Sequence, residues 1–264
     1  MQVTTLGDVL LDVIVRLDQP LVAGDDQVAV TSTGAGGQAA NVAAWAAALG
    51  AAARFVGRRG DDPAADIVAR ALTDRGVDVV GPAGGRTGVV VSIASRGDRT
   101  MASDRGVAPE LRPQDLEPEW FDCDVLHLSG YSLLREPLAS AASAAAGAAR
   151  AHGARVTVDL STWTLVDDAF RRRVRAIAPD VVFATEAERA AVGDLDACWV
   201  VKRGADGLDV DGRSYASVAV EVVDTTGAGD ALAAGFLVGG PELGLEAAAR
   251  CCAQMGSMPL GAMP

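Results

Sequence analysis

The chain has 264 residues, half of them hydrophobic but only 4% aromatic, and a formal net charge of -12. That length buries one core with at most a small appendage, built here largely from Ala, Val and Leu. The acidic balance excludes nonspecific nucleic-acid binding, which depends on neutralising phosphates, but not a nucleotide held by local backbone amides. Cys123, Cys198, Cys251 and Cys252 form no C-x-x-C pair and read as reduced packing residues. With His127 and His152 as the two histidines, a histidine-rich metal site is excluded. No basic and then apolar leader opens the chain, and residues 139–151 are broken by Ser and Gly, so neither a signal peptide nor a membrane span is read. These features predict a soluble cytoplasmic protein with no nucleic-acid or membrane partner. Lys202 is the only lysine among 23 basic residues, which reads as compositional bias rather than chemistry.

Residues 3–6 predict a strand, followed by Gly7-Asp8-Val9-Leu10-Leu11-Asp12. Ligands of α/β sheets bind beyond the carboxyl ends of strands, which places Asp8 or Asp12 to meet one; an acid there is equally a common turn residue. Residues 13–33 alternate apolar and polar around Pro20 and Gly24, predicting antiparallel strands rather than a βα unit. Gly34-Ala35-Gly36-Gly37-Gln38-Ala39-Ala40-Asn41 then enters a helix over 42–49. Two patterns overlap in it: the G-x-G-x-x-A dinucleotide fingerprint and G-G-x-x-x-N. In the second, glycines admit a ligand to the backbone, and the Asn41 amide both donates and accepts, as sugar hydroxyls require. The fingerprint needs the loop after the first strand and an acid closing the second. Here it follows an extended insertion, and the strand over 54–56 runs into Gly57-Arg58-Arg59.

Asp61-Asp62-Pro63 caps a helix over 64–75, and a short strand follows over 77–80. Residues 88–95 and 99–103 predict a hairpin across Arg96-Gly97-Asp98. With 13–33 this hairpin makes a small sheet outside the core, serving as a lid, as a surface for homodimer contact, or as both. From Asp124 the rhythm is strand then helix, with strands over 125–128, 155–158, 181–183 and 198–201 and helices over 137–151, 167–176 and 186–192. That alternation predicts a parallel sheet covered by helices. His127, inside an apolar strand, reads as structural. Gly204-Ala205-Asp206-Gly207 turns into a hairpin of 208–210 with 214–216, and the last helix is predicted over 242–255.

An apolar run over 218–223 leads into Asp224-Thr225-Thr226-Gly227-Ala228-Gly229-Asp230, and a helix over 231–238 leads out. A turn with Gly227 and Gly229 frees backbone N–H groups at a helix start, where the helix dipole adds to them, so the stretch suits an anion such as a phosphoryl group. Asp230 stands in the first turn, where it is expected to be ionised throughout the neutral range and to accept a proton from a bound hydroxyl. A bare G-x-G-D is also an ordinary glycine turn with a capping aspartate.

D-T-T-G-A-G-D and G-G-Q-A-A-N, in their order and spacing, with the Gly7-Asp8 to Asp12 segment and T-M-A-S-D-R-G at 100–106, resemble the ribokinase-like (PfkB) carbohydrate kinases over nearly the whole chain. The resemblance implies one α/β domain over 1–264: a three-layer α/β/α core with a mostly parallel central sheet, and a small β-sheet lid from about 13–33 and 87–104. It implies transfer of the γ-phosphoryl group of ATP to a hydroxymethyl group of a sugar, sugar acid or nucleoside. Mg2+ takes part and, in parts of the family, so does a monovalent cation such as K+, here near the backbone of Asp224 and Thr226. By position, Asp230 would be the base, and Gly227, Ala228 and Gly229 the anion hole. Asp12, Gly36, Gly37 and Asn41 would hold the sugar, and Lys202, Gly204, Gly207, Thr225 and Thr226 the nucleotide. The family's N-x-x-E stands here as Thr185-Glu186-Ala187-Glu188. Glu188 would then organise the metal through water in altered fashion, or be a solvated helix residue. No Walker G-x-x-x-x-G-K-[ST] loop is present. The alternatives are an NAD(P)-binding oxidoreductase using the loop from Gly34 to Ala39 and a catalytically weak sugar or nucleotide sensor. The acceptor is open; low aromatic content disfavours base stacking, for which Trp45, Tyr131 and Trp163 are the available rings.

Overall fold

The computed structural model describes residues 1–95 and 98–261, so Arg96-Gly97 of the predicted hairpin turn lies outside the described residues. The chain begins β1 (Gln2–Leu6), β2 (Leu10–Leu17), β3 (Val30–Gly36), α1 (Gln38–Ala48), β4 (Ala52–Val56), α2 (Pro63–Thr73), β5 (Val77–Val80), β6 (Thr87–Ser95) and β7 (Asp98–Gly106). It continues with β8 (Val125–Ser129), α3 (Leu138–Ala151), β9 (Arg155–Asp159), α4 (Asp168–Ile177), β10 (Val181–Thr185) and α5 (Glu186–Val192). β11 (Cys198–Lys202), β12 (Leu208–Val210), β13 (Arg213–Tyr215), α6 (Ala228–Gly239) and α7 (Pro241–Cys252) complete it.

Every residue of β8 is buried, and all but one in each of β9 and β10. Strands apolar on both faces need helices on both. Among the described residues they lie inside a nine-stranded sheet of order β13-β12-β11-β10-β9-β8-β1-β4-β5. Pairing is parallel from β11 to β5, and β12 and β13 add an antiparallel edge. On one face α1, α2, α6 and α7 contribute Ala43, Trp45, Leu72, Leu237 and Leu245 to the core. On the other, α3, α4 and α5 contribute Ala142, Phe170, Val174 and Val192. The expected three-layer core is therefore present. His127 on β8 is fully buried, its Nδ1 2.9 Å from Thr157 Oγ1 and its ring edge-on to Phe183, and it is structural as expected. No helix among the described residues is long and apolar enough to cross a membrane.

The second sheet has the order β3-β2-β6-β7. Its strands begin at residue 10 and end at residue 106, and residues 18–29 form no strand. Asp62 caps α2 by accepting from Ala65 N at 2.9 Å, and it also accepts from Thr87 N at 2.9 Å, which ties the first helix turn to the root of β6. Asp12 lies inside β2, paired with Gly34 on β3, so its reading as a turn residue fails. α7 ends at Cys252 rather than at 255. The tail instead folds back beneath α1, where Ser257 O accepts from Trp45 Nε1 at 2.8 Å. That contact buries Trp45 and removes it as a base-stacking ring.

Candidate active site

The helix α6 opens on Gly227, whose φ of 79° is the left-handed backbone that glycine adopts without strain. A Cβ there would also lie 2.6 Å from Ser257 Cβ. Gly227 has no side chain to cap the first amides of α6, which leaves that helix end available to an anion. The loop around it separates two cavities. One, of about 380 Å³, is lined by Lys202, Gly204, Gly207, Thr225, Ala228 and Gly229 and is otherwise mostly apolar, with Val218, Val220 and Leu245. The other, of about 270 Å³, is polar and is lined by Asp8, Asp12, Gly37, Asn41, Thr226, Gly227 and Asp230. Residues 225–230 thus form the wall between them.

The two cavities bring together most of the residues singled out from the sequence, and three of them sit differently from the expectation. Thr226, expected with the nucleotide group, lines the polar cavity, while its neighbour Thr225 lines the other. Gly36, expected on the sugar, instead makes room for the Asp12 side chain: a Cβ on it would lie 2.1 Å from Asp12 Oδ2. Glu188 is neither solvated nor simply turned toward a metal. It is buried, its Oε2 accepts from Thr185 N at 2.7 Å, and its own N–H donates to Thr185 Oγ1 at 3.3 Å. This reciprocal capping box starts α5, and the T-x-x-E spacing is its sequence signature. Thr185 therefore departs from N-x-x-E without losing the cap.

Electrostatics corrects the largest expectation. Asp230 was expected to be ionised across the neutral range by its helix end. Burial outweighs that end and pushes its pKa up to about 7; the Asn41 hydrogen bond and Lys202 oppose the rise, while Asp159 and Asp12 add to it. Asn41 Nδ2 donates to Asp230 Oδ2 at 2.7 Å, and Asn41 Oδ1 accepts from Ser257 Oγ at 3.0 Å. The Asn41 amide, expected on the sugar, is thereby aimed at the carboxylate.

Several site residues were not singled out from the sequence. Arg105 donates to both oxygens of Asp8, at 2.6 and 2.7 Å, and lies 5.9 Å from the centre of the Tyr131 ring. Gln38 Oε1 accepts from Ser129 Oγ and Ser161 Oγ, both at 2.5 Å. Ser161 sits at a φ of 68°, a costly conformation for a side-chain-bearing residue. Asp159, 1% exposed at the end of β9, accepts from Lys202 Nζ. An acid closing a parallel strand was a readable signal for Asp159, by the reasoning that drew attention to Asp8.

A family model described as pfkB family carbohydrate kinase matches residues 2–261. The chain is 32% identical to the ATP-dependent ribose-1-phosphate kinase of Halopiger xanaduensis, over 95% of this chain and 90% of that protein. It is 30% identical to a fructokinase of Escherichia coli, over 93% and 86%. Among solved structures it is similar to the adenosine kinase of Sinorhizobium meliloti, with a TM-score of 0.87 and 28% identity over 99% and 96% of the two chains. Gly34 lies in the small sheet rather than after the first strand, and nothing in the fold or the relatives supports a dinucleotide oxidoreductase. With its nine-stranded core, small second sheet and two-cavity helix mouth, the chain belongs to the pfkB family of carbohydrate kinases.

Proposed function

We propose that this carbohydrate kinase seats ATP in the larger cavity and a sugar or sugar-like acceptor in the polar one, and passes the γ-phosphoryl group across the wall at 225–230. The observation that carries this reading is the shared wall: Thr225, Ala228 and Gly229 line one cavity while Thr226, Gly227 and Asp230 line the other. A hydroxymethyl oxygen beside Asp230 gives its proton to that carboxylate as it attacks phosphorus. The amides of Gly227, Ala228 and Gly229 hold the charge on the moving group. General-base help is typically worth roughly 10²–10⁴ in rate, and one preorganised donor about 10²–10³. Asp12 on β2, Val90 on β6 and Met101 and Arg105 on β7 line the acceptor cavity, so the small sheet is its lid and closure excludes water.

Mg2+ would be held with the nucleotide phosphates rather than in a cage of protein ligands. Among the described residues no group of three or more His, Cys, Asp or Glu side chains could hold a metal ion. The donor set fits an ion carried by phosphates and water beside Glu188, one of whose oxygens is spent on the α5 cap. The ion offsets phosphate charge when bound. A monovalent cation would have to rely on backbone carbonyls, since Asp224 Oδ1 accepts from Thr226 N and Oγ1 and Oδ2 accepts from Gly256 N. The capping box also accounts for Thr185 without a silent sensor. The lid is a surface for homodimer contact as well, with Val28 and Val30 exposed; light scattering checks the mass in solution. The cytoplasm, where thiols stay reduced, suits its four free cysteines.

An ADP-release assay over neutral sugars, sugar acids and nucleosides tests the reading. Turnover with at least one acceptor is expected, and Asp230→Asn should cut it by about 10²-fold or more while ATP binding persists. Near-normal turnover by that variant would remove Asp230 from its role.

A further inference from the structure

Where a basic side chain is needed for charge alone, this chain uses arginine; Lys202 is its single lysine among 23 basic residues. The structure puts that lysine at the mouth of α6. It ends β11, its side chain is 15% exposed, and its Nζ donates to Asp159 Oδ1 at 2.9 Å and Oδ2 at 2.7 Å. A Cβ built on Gly229 would lie 3.6 Å from that Nζ, so the ammonium sits beside the second residue of α6. It also lines the cavity that Thr225, Ala228 and Gly229 border. Two of its N–H groups are spent on Asp159, and the third has no hydrogen-bond acceptor among the described residues.

We propose that Lys202 is a catalytic residue: its ammonium, positioned by Asp159, contacts the phosphoryl group as it crosses the Gly229 mouth, as the lysine of a P-loop does in folds that have one. The proposal rests on the kinase reading above. A lysine suits this place better than an arginine because it is a compact point charge with three rotatable donors, whereas a guanidinium is a longer planar fork. Lys202 remains charged. Burial acts to lower its pKa, but Asp159, Glu188 and Asp230 outweigh burial and hold the pKa above the ordinary lysine value. Stability alone is a poor reason for the pair, since a buried ion pair gains little over apolar residues of the same volume. In the reaction the acceptor oxygen bonds to phosphorus as the bond from phosphorus to the ADP oxygen breaks. The hydroxyl proton goes to Asp230, and Lys202 keeps all of its own.

The test separates a catalytic lysine from a merely structural one. Lys202→Met should lower kcat by about 10²-fold with the acceptor KM nearly unchanged. It also leaves Asp159 buried without its counter-ion, so its Tm should fall. The double variant Lys202→Met/Asp159→Asn removes that unpaired charge and should recover Tm while kcat stays low. If Lys202→Met does not fold, the double variant carries the test by itself. Lys202→Arg keeps the charge but not the fit, and its kcat should also fall. Recovery of near wild-type kcat in the double variant would overturn the proposal and leave the pair structural. A wild type that releases no ADP with any acceptor would overturn the kinase reading instead.

Discussion

Asp230 shows how burial and a helix end compete for one carboxyl. A helix N-terminus stabilises a partly exposed anion by roughly 0.3–1 kcal/mol, less than a carboxylate loses when water is stripped from it. A base with a pKa of about 7 is better matched to abstracting a hydroxyl proton near neutrality than one near 4. In the proposed mechanism the ionised form is the active one, so kcat/KM should rise with pH along a limb centred near 7. Asn41→Ala removes the hydrogen bond that favours the ionised form, so the limb should move to higher pH and kcat should fall. An effect confined to the acceptor KM would instead return Asn41 to the sugar. The stability sign is opposite. Since the folded pKa exceeds the usual 3.8, the native state binds more protons between about 4 and 7, and this contribution weakens as pH rises through that range. Asp230→Asn should accordingly melt higher than wild type at pH 8.

At the scale of elements, α5 shows a departure from a family motif acting as ordinary helix chemistry. Thr185 Oγ1 and Glu188 Oε2 satisfy backbone donors that the helix start would leave open. Thr185→Ala should cost about 1 kcal/mol, read as a Tm drop of roughly 2–4 °C. Thr185→Asn, restoring the family residue, should stay close to wild type because Asn caps as well as Thr. The boundaries of these elements were largely readable. The apolar runs of β8 to β11 and the Asp62-Pro63 start of α2 depend on nearest neighbours in the chain, and the predicted ranges match within a few residues. The end of α7 was misplaced because residues 253–255 have no helix breaker of their own. Gly256, further on, donates its N–H to Asp224 at 3.1 Å, a long-range pull that local propensity does not contain.

For the whole molecule, acid stability should be governed partly by His127. Its burial in β8 lowers its pKa to about 4, so between about 6.5 and 4 the unfolded chain binds a proton that the native one refuses. Stability should therefore fall as pH drops through that window. A conservative His127→Gln variant, folded at pH 8, should lose most of this slope in denaturant titrations followed across pH. The same long-range architecture assembles the candidate site. The Asn41–Asp230 bond joins residues 189 apart, and the Ser257–Asn41 bond joins residues 216 apart. By itself the sequence determined the strand and helix pattern, the glycine turn before Asp230 and the two motifs that announce the family, since periodicity and turn chemistry act over a few residues. The proton affinity of Asp230, the aim of the Asn41 amide and the pairing of Lys202 with Asp159 were decided only by tertiary structure. Desolvation and charge pairing depend on which side chains the folded core brings together, and chain order does not encode that directly.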